Sequence, residues 1–173
     1  MSRAFLVAVL ICLLAPAAAL AGSSPTPTST DDGTLVVKNA TNDDKRTSVV
    51  TLTRFDGAIV GQIDAGRLVV TDADPTDDTV PVVTGAESEH VVNDRVTIYS
   101  GTDIRFRAVG GVFTLKIYGR GVDVNAVGRG TVTLTSSFTT LKRGQYSIDG
   151  AAFAPLPIPD LGDESTFTIP SGD

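Results

Sequence analysis

Glycines recur every nine residues in the second half of the sequence, at positions 101, 110, 119 and 128. The segments between and after them, IRFRAV, VFTLKIY, VDVNAV and TVTLT, alternate in the two-residue period typical of half-buried β-strands. β-Branched residues are frequent in these segments, and none has the spacing of an amphipathic helix. The glycine period therefore predicts a series of short strands separated by turns.

Two architectures fit such a period, an antiparallel meander and a short parallel β-solenoid. Tight turns at Gly110-Gly111, Arg120-Gly121 and Gly128-Arg129-Gly130 would bring the apolar residues of successive strands opposite one another on one face. A solenoid would instead stack Phe113 on Thr131 and bury a hydroxyl group. The meander is therefore the favoured prediction, with the solenoid as its alternative.

Strand composition also occurs elsewhere in the chain, as β-branched runs bounded by polar residues. These runs are 34–38, 47–53, 58–63, 67–71 and 95–99. A tight turn is expected at Asp64-Ala65-Gly66. Another is expected at Asp149-Gly150, since Asp-Gly is a favoured hairpin dipeptide. The whole pattern predicts an all-β domain of roughly 8–10 antiparallel strands, arranged as a β-sandwich or a small barrel.

The N-terminal residues 1–21, MSRAFLVAVLICLLAPAAALA, have the features of an export signal. Arg3 supplies the positive end, an apolar run follows, and Ala19-Leu20-Ala21 matches the small-x-small cleavage pattern. The apolar run is too short to cross a bilayer comfortably as a helix. We therefore expect cleavage near Ala21 and a secreted or periplasmic protein that does not span the membrane afterwards.

Two further segments have the composition of linkers rather than of folded elements. Residues 22–33 are rich in proline, serine and threonine, and residues 154–173 combine prolines with a charged patch. They predict a flexible linker at 22–33 and a flexible Pro-rich tail at 154–173. These boundaries leave 34–153 as a single all-β domain, which is long enough to bury its own core.

The cysteine count and the net charge exclude several classes of function. Cys12 is the only cysteine, and it lies in the predicted signal peptide. The mature chain is therefore expected to be free of disulfides and to have no thiol for catalysis or metal binding. The formal net charge of −6 argues against nucleic acid as a partner, because binding to phosphates needs clustered cations.

The tripeptide Gly-Arg-Gly occurs twice, at 119–121 and 128–130. A phosphate-binding glycine loop needs a helix after it, whereas a strand pattern follows each tripeptide here. A calcium-binding nonapeptide is matched in part by Gly119, Gly121 and Asp123, but the neighbouring repeat has no aspartate to complete an oxygen cage. Both tripeptides are therefore interpreted as turns, and no cofactor-binding motif is predicted.

The strongest metal candidate is the acidic loop DADPTDD. Its carboxylates are Asp72, Asp74, Asp77 and Asp78. Carboxylates this close in sequence could hold Ca²⁺ at extracellular concentrations, although the glycine and terminal glutamate of an EF-hand loop are missing. The alternative is a solvated loop without metal, which is the more typical role of such a charge run, and no metal site is therefore predicted.

No catalytic motif is found. His90 is the only histidine, and no Gly-x-Ser-x-Gly nucleophile elbow is present. We therefore predict a non-enzymatic module that acts by binding or as a component of the cell envelope. The alternative is a small carbohydrate-active hydrolase that uses an Asp/Glu pair, since such acids need not be adjacent in sequence.

Charge is distributed unevenly along the chain. Residues 72–90 contain six acidic residues and no lysine or arginine, whereas residues 94–129 are net basic. In the meander, Arg105 would lie opposite Lys116 on the outer face, with Arg107 nearby. Either the acidic segment covers this face, or Arg105, Arg107 and Lys116 bind an acidic envelope polymer or a second copy of the chain.

The core FTLKIYGRGVDVNAVGRGTVTL resembles that of small secreted all-β bacterial proteins of unassigned function. The resemblance extends over residues 104–134. It implies export from a bacterium, and it carries no site residues.

Overall fold

The structure, a computed structural model, describes residues 32–38, 47–136, 144–158 and 165–171. These residues form eight strands and no helix. The strands are β1 (Gly33–Lys38), β2 (Ser48–Asp72), β3 (Val82–Thr84), β4 (Ser88–Val91), β5 (Val96–Ser136), β6 (Gln145–Ile148), β7 (Ala154–Pro155) and β8 (Thr166–Ile169). All eight belong to one antiparallel sheet, which confirms the predicted all-β class and the predicted strand number. The predicted signal peptide lies outside the described residues.

The two long strands β2 and β5 form most of the sheet, and β5 borders β2 along both of its edges. Val70 lies between Thr97 and Leu115, and Leu52 lies between Leu115 and Val132. Leu115 therefore pairs with both the beginning and the end of β2, which means that the two strands coil around each other. Every pairing is antiparallel, so the alternative of a parallel solenoid is wrong.

The coiled strands pass back and forth between two rows of segments. The first row contains 48–54, 66–72, 96–100, 113–119 and 131–136, and the second row contains β1 with 57–63, 104–109 and 121–128. Alternate residues in both rows are buried, and their side chains join one hydrophobic cluster. The rows thus enclose a common core as the two layers of a sandwich do. The sheet does not close into a barrel, because β3 and β4 at one end and β7 and β8 at the other have free edges in the described chain.

Glycines mark the places where a strand passes from one row to the other. These are Gly57, Gly66, Gly101, Gly110, Gly119 and Gly128. The nine-residue period is therefore the length of a segment between two bends, and not the repeat of a hairpin. The hairpin turns predicted at Gly110-Gly111, Arg120-Gly121 and Gly128-Arg129-Gly130, and the turn at Asp64-Ala65-Gly66, are wrong, because all four stretches lie inside continuous strands.

The bend at Gly110 and Gly111 shows how glycine allows a strand to bend. Both residues have left-handed backbones, with φ of 73° and 71°. They lie between the pairs Asp56–Val112 and Ala58–Val109, so two residues of β5 oppose one residue of β2. This is the geometry of a β-bulge, which bends a strand without reversing it.

The C-terminal part of the sheet extends beyond the domain boundary predicted at residue 153. The predicted turn at Asp149-Gly150 is confirmed, and the amide of Ala151 donates a hydrogen bond of 2.9 Å to the carbonyl of Ile148. After it come β7 and β8, which lie within the predicted flexible tail. Leu156 and Ile169 are fully buried against the core, a contribution that the proline-rich composition of this segment conceals.

Candidate functional site

A shallow groove with a volume of about 1010 Å³ runs over the outer face of the second row. It crosses β3 and the segments 104–109, 57–63 and 121–128, and it ends at Lys38 of β1. The side chains that line it and point outward are Lys38, Val60, Gln62, Val82, Thr84, Arg105, Arg107, Asp123 and Asn125. The groove therefore combines cations, amides, one carboxylate and valines on a single face.

Strand alternation places Arg105 and Arg107 side by side in this groove. Phe106 between them is buried, and the two arginines point outward from the same segment. Arg105 lies between Thr84 of β3 and Gln62 of β2. Alternate residues of a strand lie about 6.6 Å apart, so one elongated ligand can contact both guanidinium groups.

The two arginines are exposed, and among the described residues no carboxylate forms an ion pair with either of them. Lys38, at the other end of the groove, differs from the two arginines because a carboxylate and an aromatic ring lie next to it. It lies directly opposite Asp123 in the pairing of β1 with β5, and its ammonium stands 4.8 Å from the centre of the Phe153 ring. The uncompensated positive charge of the groove is therefore concentrated at Arg105 and Arg107.

The groove is polar at Gln62, which lies beside Arg105, and at Asp123 and Asn125 on the next segment. The amide nitrogen Nε2 of Gln62 donates a hydrogen bond of 3.0 Å to Oδ2 of Asp123. Asn125 lies two residues further along the same segment and is exposed. Amide and carboxylate groups of this kind donate to and accept from hydroxyl groups.

Two valines give the groove an apolar strip. Val60 and Val82 flank Arg107 on its two neighbouring segments, and they are 37% and 62% exposed. Exposed valines on an outer sheet face leave apolar surface open to a ligand.

Lys116 does not belong to this face. It lies in the first row, where its pairing partners are Thr51 and Val69. The predicted pairing of Arg105 with Lys116 is wrong, because it required a hairpin turn at Gly110-Gly111 that the strand does not make. The structure thus brings together two of the three predicted cations.

The acidic segment 72–90 lies beside the arginines and not over them. Its strand β3 continues the sheet next to 104–109, and the side chains that it places beside the arginines are those of Val82 and Thr84. No aspartate of the loop 72–78 forms an ion pair with Arg105 or Arg107 in the described chain. Both arginines remain exposed to solvent.

Three of the four aspartates of the acidic loop accept hydrogen bonds from within the loop, and Asp78 is exposed. Oδ1 of Asp72 accepts a hydrogen bond from the amide of Asp74. Oδ1 of Asp74 accepts two, from the amide of Thr76 at 3.1 Å and from its hydroxyl at 2.6 Å, and these bonds hold the pKa of Asp74 below its ordinary value. Asp77 accepts the same two hydrogen bonds from Thr79. Among the described residues, no group of three or more histidine, cysteine or acidic side chains is placed to hold a metal ion.

His90 lies on the edge strand β4, opposite Ile98, and is exposed. It is remote in the sheet from the arginines, since β4 borders the first-row segment 96–100. His90 stands out in the sequence because it is the only histidine, whereas nothing in the sequence indicates Val60, Gln62 or Val82. These residues reach the groove only through the pairing of β2 and β3 with β5.

A comparison of the chain with protein-family models, with curated proteins and with solved structures returned no match. In the part of the chain that the structure describes, no helix has the length and apolar character needed to cross a membrane.

Proposed function

We propose that the protein is an exported, non-enzymatic binding module that holds an anionic polymer of the cell envelope in the groove of the second row. The observation that carries the proposal is the pair of exposed arginines, Arg105 and Arg107, which lack a carboxylate partner among the described residues. The signal-like sequence at residues 1–21 supports an extracytoplasmic location for such a module.

Arginine suits this role for a physical reason. Its planar guanidinium group donates two parallel hydrogen bonds to one carboxylate or phosphate, and it remains charged at every physiological pH. Two such groups on one strand repel each other weakly, and a bound anion offsets this repulsion. A polymer with repeated anionic groups can contact both arginines at once.

Retention on immobilised anionic polymers tests the proposal. The mature protein is applied to polygalacturonate and to polyphosphate over a range of salt concentrations, beside the variants Arg105→Ala, Arg107→Ala and Lys116→Ala. Each arginine variant should bind roughly tenfold to a hundredfold more weakly, since a hydrogen bond to a charged group contributes about 1.5–3 kcal/mol. Lys116→Ala is the matched control, because it removes an exposed cation from the other row.

Three outcomes contradict the proposal. Equal losses in all three variants would indicate attraction by overall charge. If the molecular mass in solution rises with protein concentration, and Arg105→Ala abolishes this rise, the face binds a second copy of the chain. If the protein hydrolyses a polysaccharide, and Asp123→Asn abolishes this hydrolysis, the alternative of a carbohydrate-active hydrolase is favoured.

A further inference from the structure

The groove has a different chemistry at each end, and this difference limits which anionic polymer it can take. Positive charge is uncompensated at Arg105 and Arg107, whereas Asp123 and Lys38 lie opposite each other at the far end. A polymer whose polar groups are all anionic, such as polyphosphate, would bring an anionic group against the carboxylate of Asp123. A ligand that carries neutral hydroxyl groups beside its anionic groups can place a hydroxyl group there and so avoids this repulsion.

We infer that the ligand is a carboxylated polysaccharide that lies across the strands, an inference that rests on the proposed function. Its carboxylate is bound by Arg105 and Arg107, and its hydroxyl groups are bound by Gln62, Asp123 and Asn125. A hydroxyl group both donates and accepts, so it can donate to the carboxylate of Asp123 and accept from the amide of Asn125. Polyphosphate has no such hydrogen-bond donors when it is ionised.

The apolar strip supports the same ligand class. Val60 and Val82 flank Arg107 and are exposed, which places C–H surface on either side of the guanidinium group. The ring of a sugar acid carries a carboxylate beside an apolar C–H face, and that face can pack on the valines. A chain of phosphates offers no apolar surface for this contact.

Nucleic acid fits the groove less well. Proteins that hold single-stranded nucleic acid stack bases on exposed aromatic rings. Among the described residues that line the groove, Phe106 is the one aromatic residue, and its side chain is buried in the core. The lining of the groove therefore provides hydrogen bonds and aliphatic contacts, and the exposed ring of Phe153 lies outside this lining, beyond Lys38.

The dimensions of the groove suit an extended oligosaccharide. Five strand segments lie side by side from β3 to β1, and neighbouring strands are about 4.8 Å apart, which gives a length of about 19 Å across the strands. Several sugar units can lie along this distance, so a carboxylate at the arginines leaves further units beside Gln62, Asn125 and Lys38.

Three polymers separate the contributions of charge and of sugar chemistry. Polygalacturonate carries carboxylates, hydroxyls and C–H faces, polyphosphate carries charge alone, and dextran carries hydroxyls without charge. At matched ionic strength the protein should bind polygalacturonate at least about tenfold more tightly than polyphosphate, which corresponds to about 1.4 kcal/mol. Dextran should not be retained, because the arginines would have no anion to bind.

Two variants without a change of charge test the contacts. Asn125→Ala removes an exposed amide, and Val60→Thr keeps the branched shape of the side chain while replacing a methyl group by a hydroxyl. Each should weaken binding to polygalacturonate several-fold and leave binding to polyphosphate unchanged. Unfolding curves that match those of the parent will show that both variants are folded.

The outcomes separate the inference from the proposed function. Arginine-dependent binding that is as tight for polyphosphate as for polygalacturonate would overturn the inference and leave the proposed function intact. Insensitivity of polygalacturonate binding to both Asn125→Ala and Val60→Thr would overturn it as well. Failure to bind either anionic polymer through Arg105 and Arg107 would overturn the proposed function itself.

Discussion

Gly57 lies directly opposite Gly128 at a point where β2 and β5 both pass from one row of the sheet to the other. The two backbones approach so closely that a Cβ atom on Gly128 would stand 2.1 Å from the carbonyl oxygen of Asp56 and 2.8 Å from the Cα atom of Gly57. A Cβ atom on Gly57 would meet the carbonyl oxygen of Val127 at the same distance of 2.1 Å. The crossing of the two strands therefore depends on two facing residues without side chains.

Gly128→Ala should lower the free energy of unfolding by at least about 2 kcal/mol, because the new methyl group meets backbone atoms that cannot move independently of the sheet. Gly150→Ala is the matched control. Gly150 has a left-handed φ of 75°, but a Cβ atom there would find nothing within 4 Å, so the cost should be about 1 kcal/mol from backbone strain alone. Urea unfolding of both variants measures the difference. Equal costs would mean that the close approach at the crossing contributes nothing.

The glycine period illustrates what a sequence of this kind can and cannot reveal. Alternation between the glycines correctly predicts extended chain with Phe113, Leu115 and Ile117 on the buried side. It does not distinguish a glycine that reverses the chain from one that bends it, because both use backbone conformations that other residues avoid. The predicted hairpins are wrong for this reason.

The site depends on pairings that lie far apart in sequence. Arg105 and Arg107 are recognisable as neighbours, since residues two apart on a strand share a face. Their other neighbours come from β2 and β3, so Gln62 and Val82 could be placed beside them only if the register of those strands were known. Local alternation contains no information about that register, which follows from how the two long strands coil.

Two buried serines should respond in opposite ways to the same substitution. Ser136 is 2% exposed, and its hydroxyl has no hydrogen-bond partner among the described residues. Ser147 is 6% exposed, and its hydroxyl donates a hydrogen bond of 2.6 Å to the carbonyl of Ala151. Ser136→Ala should raise the free energy of unfolding by about 1 kcal/mol, and Ser147→Ala should lower it by about 1 kcal/mol. Chemical denaturation measures both, and a loss of stability in Ser136→Ala would show that its hydroxyl is satisfied in solution.

Export and processing should leave a mature chain that begins at or near Gly22. The motif Ala19-Leu20-Ala21 presents small residues at the positions that signal peptidase reads. N-terminal sequencing of protein recovered outside the cytoplasm checks the position. Recovery of a chain that still begins with Met1, or that carries a lipid on Cys12, would contradict this assignment.

Asp149 joins the C-terminal residues to the first strand, and this connection should depend on pH. Its Oδ1 accepts a hydrogen bond of 2.6 Å from the amide of Thr34, and its Oδ2 accepts two more from the amide and the hydroxyl of Ser171. Partial burial raises the pKa of Asp149, but the hydrogen bonds from Ser171 and Thr34 outweigh it and hold the pKa below its ordinary value of 3.8. A carboxyl group whose pKa is lowered by folding stabilises the folded state above its unfolded pKa, and this contribution is lost as the pH falls through the lowered value.

Asp149→Asn tests this dependence, because asparagine also tolerates the left-handed φ of 50° at this position. The variant should melt at a lower temperature than the parent near neutral pH, since it has lost the charge that the three donors stabilise. The difference in melting temperature between the parent and the variant should narrow below about pH 4, where the carboxyl group of the parent begins to take up a proton in the unfolded chain. Asp74→Asn is the comparison variant: the pKa of Asp74 is also lowered, so its melting-temperature difference from the parent should narrow in the same pH range, but its carboxylate accepts only from Thr76 of its own loop and does not contact β1. If the difference in melting temperature between the parent and Asp149→Asn stays constant from neutral pH to about pH 3, the charge of Asp149 does not stabilise its contact with Ser171.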